Sequence, residues 1–119
     1  GPNKWFSKIE TKEFKVFPAT PGHPILKGVN PFAMKEEFYF NLRFAEQKEK
    51  LTPIATLDPE KKDWSKVVGW AYERPDSARG FGYTGGHFLK NFEDPNVQRI
   101  LLNAILWTAK AEPADLAKK

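Results

Sequence analysis

The chain of 119 residues contains no cysteine, one methionine and two histidines. Without cysteine it has no disulfide framework, no thiolate metal site and no cysteine nucleophile. No stretch approaches the roughly 20 apolar residues that a membrane-spanning helix needs, so we expect no insertion into a membrane. No signal peptide is recognisable either. The compartment stays open, because both cytoplasmic and exported proteins can lack cysteine.

Concentrated positive charge is also missing. The formal net charge is +4, and the lysines are interleaved with acidic residues. Proteins that bind nucleic acid concentrate Lys and Arg on one face, so we expect no nucleic-acid partner. The sequence has no phosphate-binding loop, dinucleotide fingerprint, Gly-x-Ser-x-Gly elbow or zinc-protease motif. Its composition, 40% hydrophobic and 29% charged, is typical of one globular domain.

Hydrophobic patterning divides the chain into three parts. Residues 1–12 are weakly patterned and are predicted to form an N-terminal arm, whose opening Gly1-Pro2 resembles a cloning scar. Residues 13–110 are predicted to form the domain and residues 111–119 a flexible tail. Alternating or short apolar runs predict strands at Glu13–Phe17, Met34–Phe44, Leu51–Leu57, Val67–Glu73 and Arg79–Thr84.

A single helix is predicted after the last strand. Asp94 is suited to the N-cap and Pro95 to the first helical position. Apolar residues cover nearly the whole circumference of this helix, so it must be covered on more than one face. Several strands with one helix fit either an α+β domain with a mainly antiparallel sheet or half of a larger α/β domain. Pro53 interrupts the third strand, which we therefore expect near a sheet edge.

The segment Gly80–Lys110 joins a strand end, a glycine pair, a histidine and the helix start. Sites in α/β proteins form at the carboxyl ends of strands, and Gly85 and Gly86 permit positive φ or close approach to a ligand. His87 is therefore a candidate general base, metal ligand or sugar hydrogen-bonding group. The alternative is a histidine that hydrogen-bonds to its own loop and caps the sheet.

Two strands offer further candidates. In the predicted strand Met34–Phe44, one face carries Glu37, Tyr39, Asn41 and Arg43. A carboxylate, a phenol, an amide and a guanidinium in a row can bind a polyhydroxylated or anionic ligand. The same row can equally be the solvent-facing side of an amphipathic strand.

In the strand Val67–Glu73 and just after it, Trp70, Tyr72 and Arg74 share a face, and aromatic rings stack on sugars or bases. Burial in the core is the simpler explanation for Trp70. His23 lies in a proline-rich turn. A metal site would need both histidines together with carboxylates, and the spacing does not require one, so we assign no metal and leave the cofactor open.

The order of several motifs resembles the C-terminal half of the ThuA-like (trehalose utilisation) family, especially its bacterial members. The resemblance covers residues 14–110. It rests on His23-Pro24-Ile25 with Lys27-Gly28, Glu36-Glu37-Phe38-Tyr39, Val68-Gly69-Trp70, the run Arg79–His87, Glu93-Asp94-Pro95, and the helix end Ile105–Ala109.

This resemblance implies an α/β fold of the class I glutamine amidotransferase-like type, a flavodoxin-like three-layer sandwich. Here it would be truncated to its C-terminal half, with a mixed sheet and a C-terminal helix. It also implies a role in carbohydrate metabolism, on a trehalose-type disaccharide or a keto-sugar, with the reaction undefined. The alternative is a non-catalytic module that binds a sugar or a protein.

The family motifs also suggest roles for individual residues. The resemblance implies His87 and Glu37 as catalytic candidates, and Tyr39 as a substrate-binding candidate. Arg43, Trp70 and Arg74 are further substrate-binding candidates. The expected partners are a carbohydrate ligand and either a missing N-terminal half or a second copy that covers the helix.

Overall fold

The computed structural model describes residues 7–42 and 50–111. These residues form one sheet and one α-helix, with a 3-10 turn at Pro24–Leu26 and another at Leu89–Glu93. The strands are β1 (Lys8–Pro18), β2 (Phe32–Phe40), β3 (Leu51–Thr56), β4 (Val67–Glu73) and β5 (Arg79–Tyr83), and the helix is α1 (Pro95–Thr108).

The sheet has the order β2-β1-β3-β4-β5, and each of these neighbouring pairs is antiparallel. The expected mixed sheet is therefore wrong for the described residues. Parallel neighbours need a long crossover connection, usually a helix. In the described residues the α-helix comes only after the last strand, so no helical crossover joins two strands.

Strands β1 and β2 differ from their predicted limits because of their partners in the fold. β1 begins at Lys8, inside the predicted arm, because its polar start pairs with β2, from Lys8 opposite Phe40 to Lys12 opposite Glu36. Backbone pairing of this kind needs no apolar pattern. β2 ends at Phe40, because Asn41 takes φ 55° and its N–H donates to the Ser65 carbonyl oxygen at 2.8 Å. Asparagine tolerates this left-handed conformation better than most residues.

Strand β3 is central in the sheet, so its prediction as an edge strand is wrong. Its pairing with β1 is limited to Phe17 opposite Thr56 and Pro18 opposite Ala55. Pro53 lies beyond that short ladder and pairs with β4 alone, opposite Trp70, next to an irregularity in the register. The proline therefore occupies a local edge within a central strand, where its missing N–H breaks no ladder.

The core lies between the sheet and α1. The predicted cap is confirmed: the Asp94 carboxylate accepts hydrogen bonds from the N–H groups of Asn96 and Val97, and Pro95 opens the helix. Leu102 and Ile105 stay 42% and 64% exposed on the outer face of α1. The buried apolar side chains of this core come from β1 to β4, from α1 and from the 3-10 turn at Pro24–Leu26: Phe14, Val16, Ile25, Leu26, Phe32, Met34, Phe38, Phe40, Ile54, Ala55, Val68, Ala71, Val97, Ile100, Ala104 and Trp107.

The proline-rich loop between β1 and β2 covers a second side of α1. Asn103 donates through Nδ2 to the carbonyl oxygens of Ile25 and Lys27, both at 2.9 Å. Ile25 is fully buried against the helix side of the core. The sequence predicts that α1 is covered on more than one face, and this loop, rather than another domain, supplies part of that cover.

Candidate functional site

The loop between β5 and α1 closes the outer edge of β2. Thr84 donates through Oγ1 to the Tyr39 carbonyl oxygen at 2.7 Å. Asn91 donates through Nδ2 to the Lys35 carbonyl oxygen, also at 2.7 Å. Two outward-facing carbonyl groups of the edge strand are thus bonded by side chains rather than by another strand. The glycine pair and His87 lie between these two anchors in the chain, so the edge of β2 fixes where they sit.

The buried Glu36 carboxylate holds the β5–α1 loop in place through hydrogen bonds. Its side chain has no exposed surface, because the alternation of β2 places it on the same face as Phe38. Oxygen Oε1 accepts from the N–H groups of Glu37 at 2.9 Å and His87 at 3.1 Å. Oxygen Oε2 accepts from the Gly86 N–H at 3.0 Å and from Asn91 Nδ2 at 2.8 Å. A buried carboxylate is tolerated when its oxygens are satisfied in this way.

These bonds also set the ionisation of Glu36. Burial raises the pKa of the carboxyl, which is the largest single effect. Hydrogen bonds from Asn91, Glu37, Gly86 and His87 together lower it by more, so the net pKa lies below its usual value. Glu36 is therefore an ionised support at neutral pH rather than a proton donor.

The glycine pair is required by packing. Gly86 has φ +102°, and a Cβ there would meet the Phe92 ring at 2.8 Å. A Cβ on Gly85 would meet the Tyr83 ring at 2.6 Å. Both distances are shorter than real Cβ contacts, so a larger residue at either position would displace an aromatic ring. Steric demand within the loop therefore accounts for both glycines.

His87 and Glu37, the two catalytic candidates, are brought together. Nδ1 of His87 lies 3.1 Å from Oε2 of Glu37. The other carboxylate oxygen, Oε1, accepts from Thr11 Oγ1 at 2.8 Å. The imidazole is 52% exposed, and the Phe88 ring packs edge-on against it at 4.8 Å. The carboxylate is thus held on both oxygens, and it can fix the orientation of an accessible imidazole.

This pair can hold and transfer a proton. When Nδ1–H is donated to a carboxylate, the neutral ring keeps Nε2 as an acceptor, which is the arrangement of a general base. Tyr39 lies two residues from Glu37 on the same face of β2 and is 45% exposed. We call Glu37, Tyr39 and His87 the edge patch; it combines a proton acceptor with an aromatic surface.

The remaining candidates lie elsewhere. The Trp70 indole lies across Gly82 of the neighbouring strand β5, where a Cβ would be only 2.4 Å from the ring. Arg74 lies in the β4–β5 turn and pairs with Asp76 at 3.3 Å. The β5–α1 loop begins opposite Val68, about 20 Å from Arg74 by strand rise, so Arg74 is not brought to His87. Arg43 lies outside the described residues.

His23 is engaged in packing. Its Nδ1 accepts from the Ile25 N–H at 3.1 Å, and its ring packs edge-on against Trp107 at 5.1 Å. Burial lowers its pKa, the Glu73 carboxylate opposes that shift, and Arg79 adds to it, with a net decrease. Residues 7–42 and 50–111 contain no group of three or more His, Cys, Asp or Glu side chains that could hold a metal ion.

Sequence reasoning missed Glu36, Thr84 and Asn91. The first was detectable, because the alternation that buries Phe38 and Phe40 puts Glu36 on the same face. A carboxylate on a buried face needs hydrogen-bond donors, so this pattern predicts that Glu36 holds nearby N–H groups in place. The side-chain bonds of Thr84 and Asn91 to β2 span 45 and 56 residues of sequence, and they carry no local signal.

A solved structure shares this fold. A ThuA-like protein from Bacteroides uniformis superposes with a TM-score of 0.62 at 16% sequence identity, over 92% of this chain and 48% of that one. The chain therefore spans about half the length of that protein. No protein of curated function matches the chain.

The family itself is identified by sequence. The ThuA family, described as trehalose utilisation, matches residues 3–108. The chain belongs to the ThuA family, as its ordered motifs predicted. No helix in the part of the chain that the structure describes is long and apolar enough to cross a membrane.

Proposed function

We propose that the edge patch binds a carbohydrate of the trehalose-type disaccharide or keto-sugar class, with His87 and Glu37 as its acid–base pair. The observation that carries this proposal is the 3.1 Å contact between His87 Nδ1 and Glu37 Oε2 on an accessible surface. The family description, trehalose utilisation, supports a sugar as ligand. Tyr39 would provide a ring face for the sugar.

We further propose that the complete fold is a class I glutamine amidotransferase-like, three-layer sandwich, to which this chain contributes the C-terminal half. One observation supports that architecture: the chain covers 48% of the ThuA-like neighbour, which shares its fold.

A non-catalytic module is the second candidate. It is favoured by the exposure of the patch, where the His87 and Tyr39 side chains lie about half in solvent. Catalytic sites usually exclude water around the reacting groups. An open patch fits binding without turnover, or a site that needs further residues to enclose it.

Titration calorimetry and a turnover assay with trehalose and a keto derivative of trehalose test the proposal on the protein that contains this chain. Wild type is compared with His87→Ala, Glu37→Gln and the control Arg74→Ala, whose side chain lies in the distant β4–β5 turn. We expect the control to leave binding unchanged and the two patch variants to weaken it at least tenfold.

The outcomes separate the two candidates. Turnover that falls at least 100-fold in His87→Ala while binding falls less identifies the acid–base role. Binding without turnover, weakened by the patch variants, identifies the module. Sugar binding that is unchanged in both patch variants contradicts the proposed site.

A further inference from the structure

The two edge strands of the sheet, β2 and β5, differ in what covers their outer backbone groups. The outer edge of β2 is covered by the β5–α1 loop, whose side chains bond to its carbonyl groups. β5 forms the other edge, and it pairs with β4 alone. One edge of the sheet is therefore closed, whereas the other ends on a strand with a single neighbour among the described residues.

The register shows which groups this second edge presents. The Thr84 N–H donates to the Val68 carbonyl oxygen, and the Ala78 carbonyl oxygen accepts from the Arg74 N–H. In an antiparallel ladder the alternate residues point their N–H and C=O the other way. The backbone groups of Phe81 and Tyr83 therefore point outward, away from β4.

Three common protections of a free edge, namely proline, a bulge and an unpaired charged side chain, are missing from β5. The sequence of β5 is Arg-Gly-Phe-Gly-Tyr, and its register with β4 is continuous. Its one charge, Arg79, is bonded to the Trp107 carbonyl oxygen at 2.8 Å. The outward N–H and C=O groups of β5 can therefore pair with another strand.

Apolar surface accompanies the open edge. Phe81 and Tyr83 pack against the core but stay partly exposed. Leu102 and Ile105 of α1, the helix that contacts β5, are the exposed apolar side chains of its outer face. A partner that brings a strand together with further apolar surface would bury all of these groups.

We propose that the outer edge of β5 is where the other half of a ThuA-like domain adds a β-strand to this sheet. The length comparison selects this occupant, since a protein of the same fold is about twice as long as this chain. The inference extends the architecture proposed above, and it is independent of the sugar-binding role of the edge patch.

Amide hydrogen exchange measured by NMR tests the strand addition. The 119-residue chain is compared with the complete product of the gene that encodes it. In the complete protein we expect the Phe81 and Tyr83 amides to exchange at least 100-fold more slowly. The Gly82 amide points toward β4 and serves as the internal control, protected in both samples.

Several outcomes contradict the proposal. Unchanged exchange at Phe81 and Tyr83 does so, as does a gene that encodes no further strand. A concentration-dependent dimer of the 119-residue chain in which these amides become protected assigns the edge to a second copy instead. If the calorimetry described above shows no sugar binding, that result contradicts the proposed function but not the strand addition.

A pair of variants separates backbone pairing from side-chain packing. The complete gene product and the 119-residue chain are each prepared with Phe81→Pro and with Phe81→Leu. Both substitutions remove the phenyl ring, and proline also removes the outward N–H, a change that edge strands tolerate. We expect Phe81→Pro to lower the thermal midpoint of the complete protein by more than Phe81→Leu does, and the two variants of the 119-residue chain to have similar midpoints. Equal lowering by both variants in the complete protein would contradict strand addition.

Discussion

Replacing Glu36 with glutamine tests the support beneath the His87 loop. The wild-type carboxylate receives two donors on each oxygen: Glu37 and His87 on Oε1, Gly86 and Asn91 on Oε2. Glutamine offers one acceptor oxygen and one NH₂ group. Whichever way its amide is turned, an NH₂ group faces two buried donors.

Neither orientation can be rescued locally. With NH₂ toward the backbone of Glu37 and His87, both of those N–H groups lose their acceptor. With NH₂ toward Gly86, the Asn91 amide could turn over, but its oxygen would then face the Lys35 carbonyl oxygen that its NH₂ now binds. Each unsatisfied buried donor costs about 1–3 kcal/mol, so we expect Glu36→Gln to lower the free energy of unfolding by about 3 kcal/mol.

Urea denaturation at pH 7 and 25 °C measures this change. The matched control is Glu37→Gln, one residue along β2, whose carboxylate bonds to Thr11 and His87 near the surface. A partly exposed ion pair contributes about 1 kcal/mol or less. If Glu36→Gln destabilises the protein no more than Glu37→Gln does, the role given to Glu36 is refuted.

The pH dependence provides a second check on the same residue. The pKa of Glu36 is lower in the folded protein than its ordinary value of about 4.3. A carboxyl with a depressed folded pKa stabilises the fold above its unfolded pKa, and that stabilisation is lost as the pH falls through the folded value. The stability difference between wild type and Glu36→Gln should therefore be constant from pH 7 to 5 and shrink below about pH 4. A difference that stays constant to pH 3 would contradict an ionised Glu36.

Three further predictions concern the same framework. Gly86→Ala should lower the free energy of unfolding by about 2 kcal/mol or more, because of its positive φ and the neighbouring ring, whereas Gly80→Ala, which meets no atom within 4 Å, should change it little in urea denaturation. Asn103→Ala leaves two carbonyl oxygens without their donor and should cost about 2 kcal/mol in the same assay, whereas Asn96→Ala, at a half-buried position whose single bond to the Asn30 N–H is exposed, should cost less than half as much. Because the pKa of His23 is lowered in the fold, wild type should lose stability as the pH falls from 7 to 5, and His23→Asn should flatten that loss in thermal denaturation; equal slopes would contradict it.

Local signals predicted most of the elements. The cap at Asp94 and Pro95 is a short-range pattern, and the helix begins there. The alternation of β2 correctly separated Phe38 and Phe40 from Glu37 and Tyr39. These features depend on neighbours within a few residues, which is the range that periodicity and capping report.

Strand order and the limits of pairing were beyond such signals. β3 became central because two residues at the end of β1 pair with it, although Pro53 indicated an edge. The start of β1 at Lys8 depends on its partner strand and not on its own polar sequence. Both outcomes depend on contacts between residues that are far apart in the chain, and patterns in a single sequence do not report such contacts.

The candidate site combines a predicted part with a part that only the structure reveals. The sequence predicts His87 and Glu37 as catalytic candidates, and in the structure His87 Nδ1 lies 3.1 Å from Glu37 Oε2. Successive residues of a strand point to opposite faces, so Glu36 and Glu37 cannot share a role despite being neighbours. One carboxylate is buried and holds the backbone of the loop, whereas the other is near the surface and contacts the imidazole. A substitution at Glu36 should therefore act on the position of His87, and one at Glu37 should act on its ring.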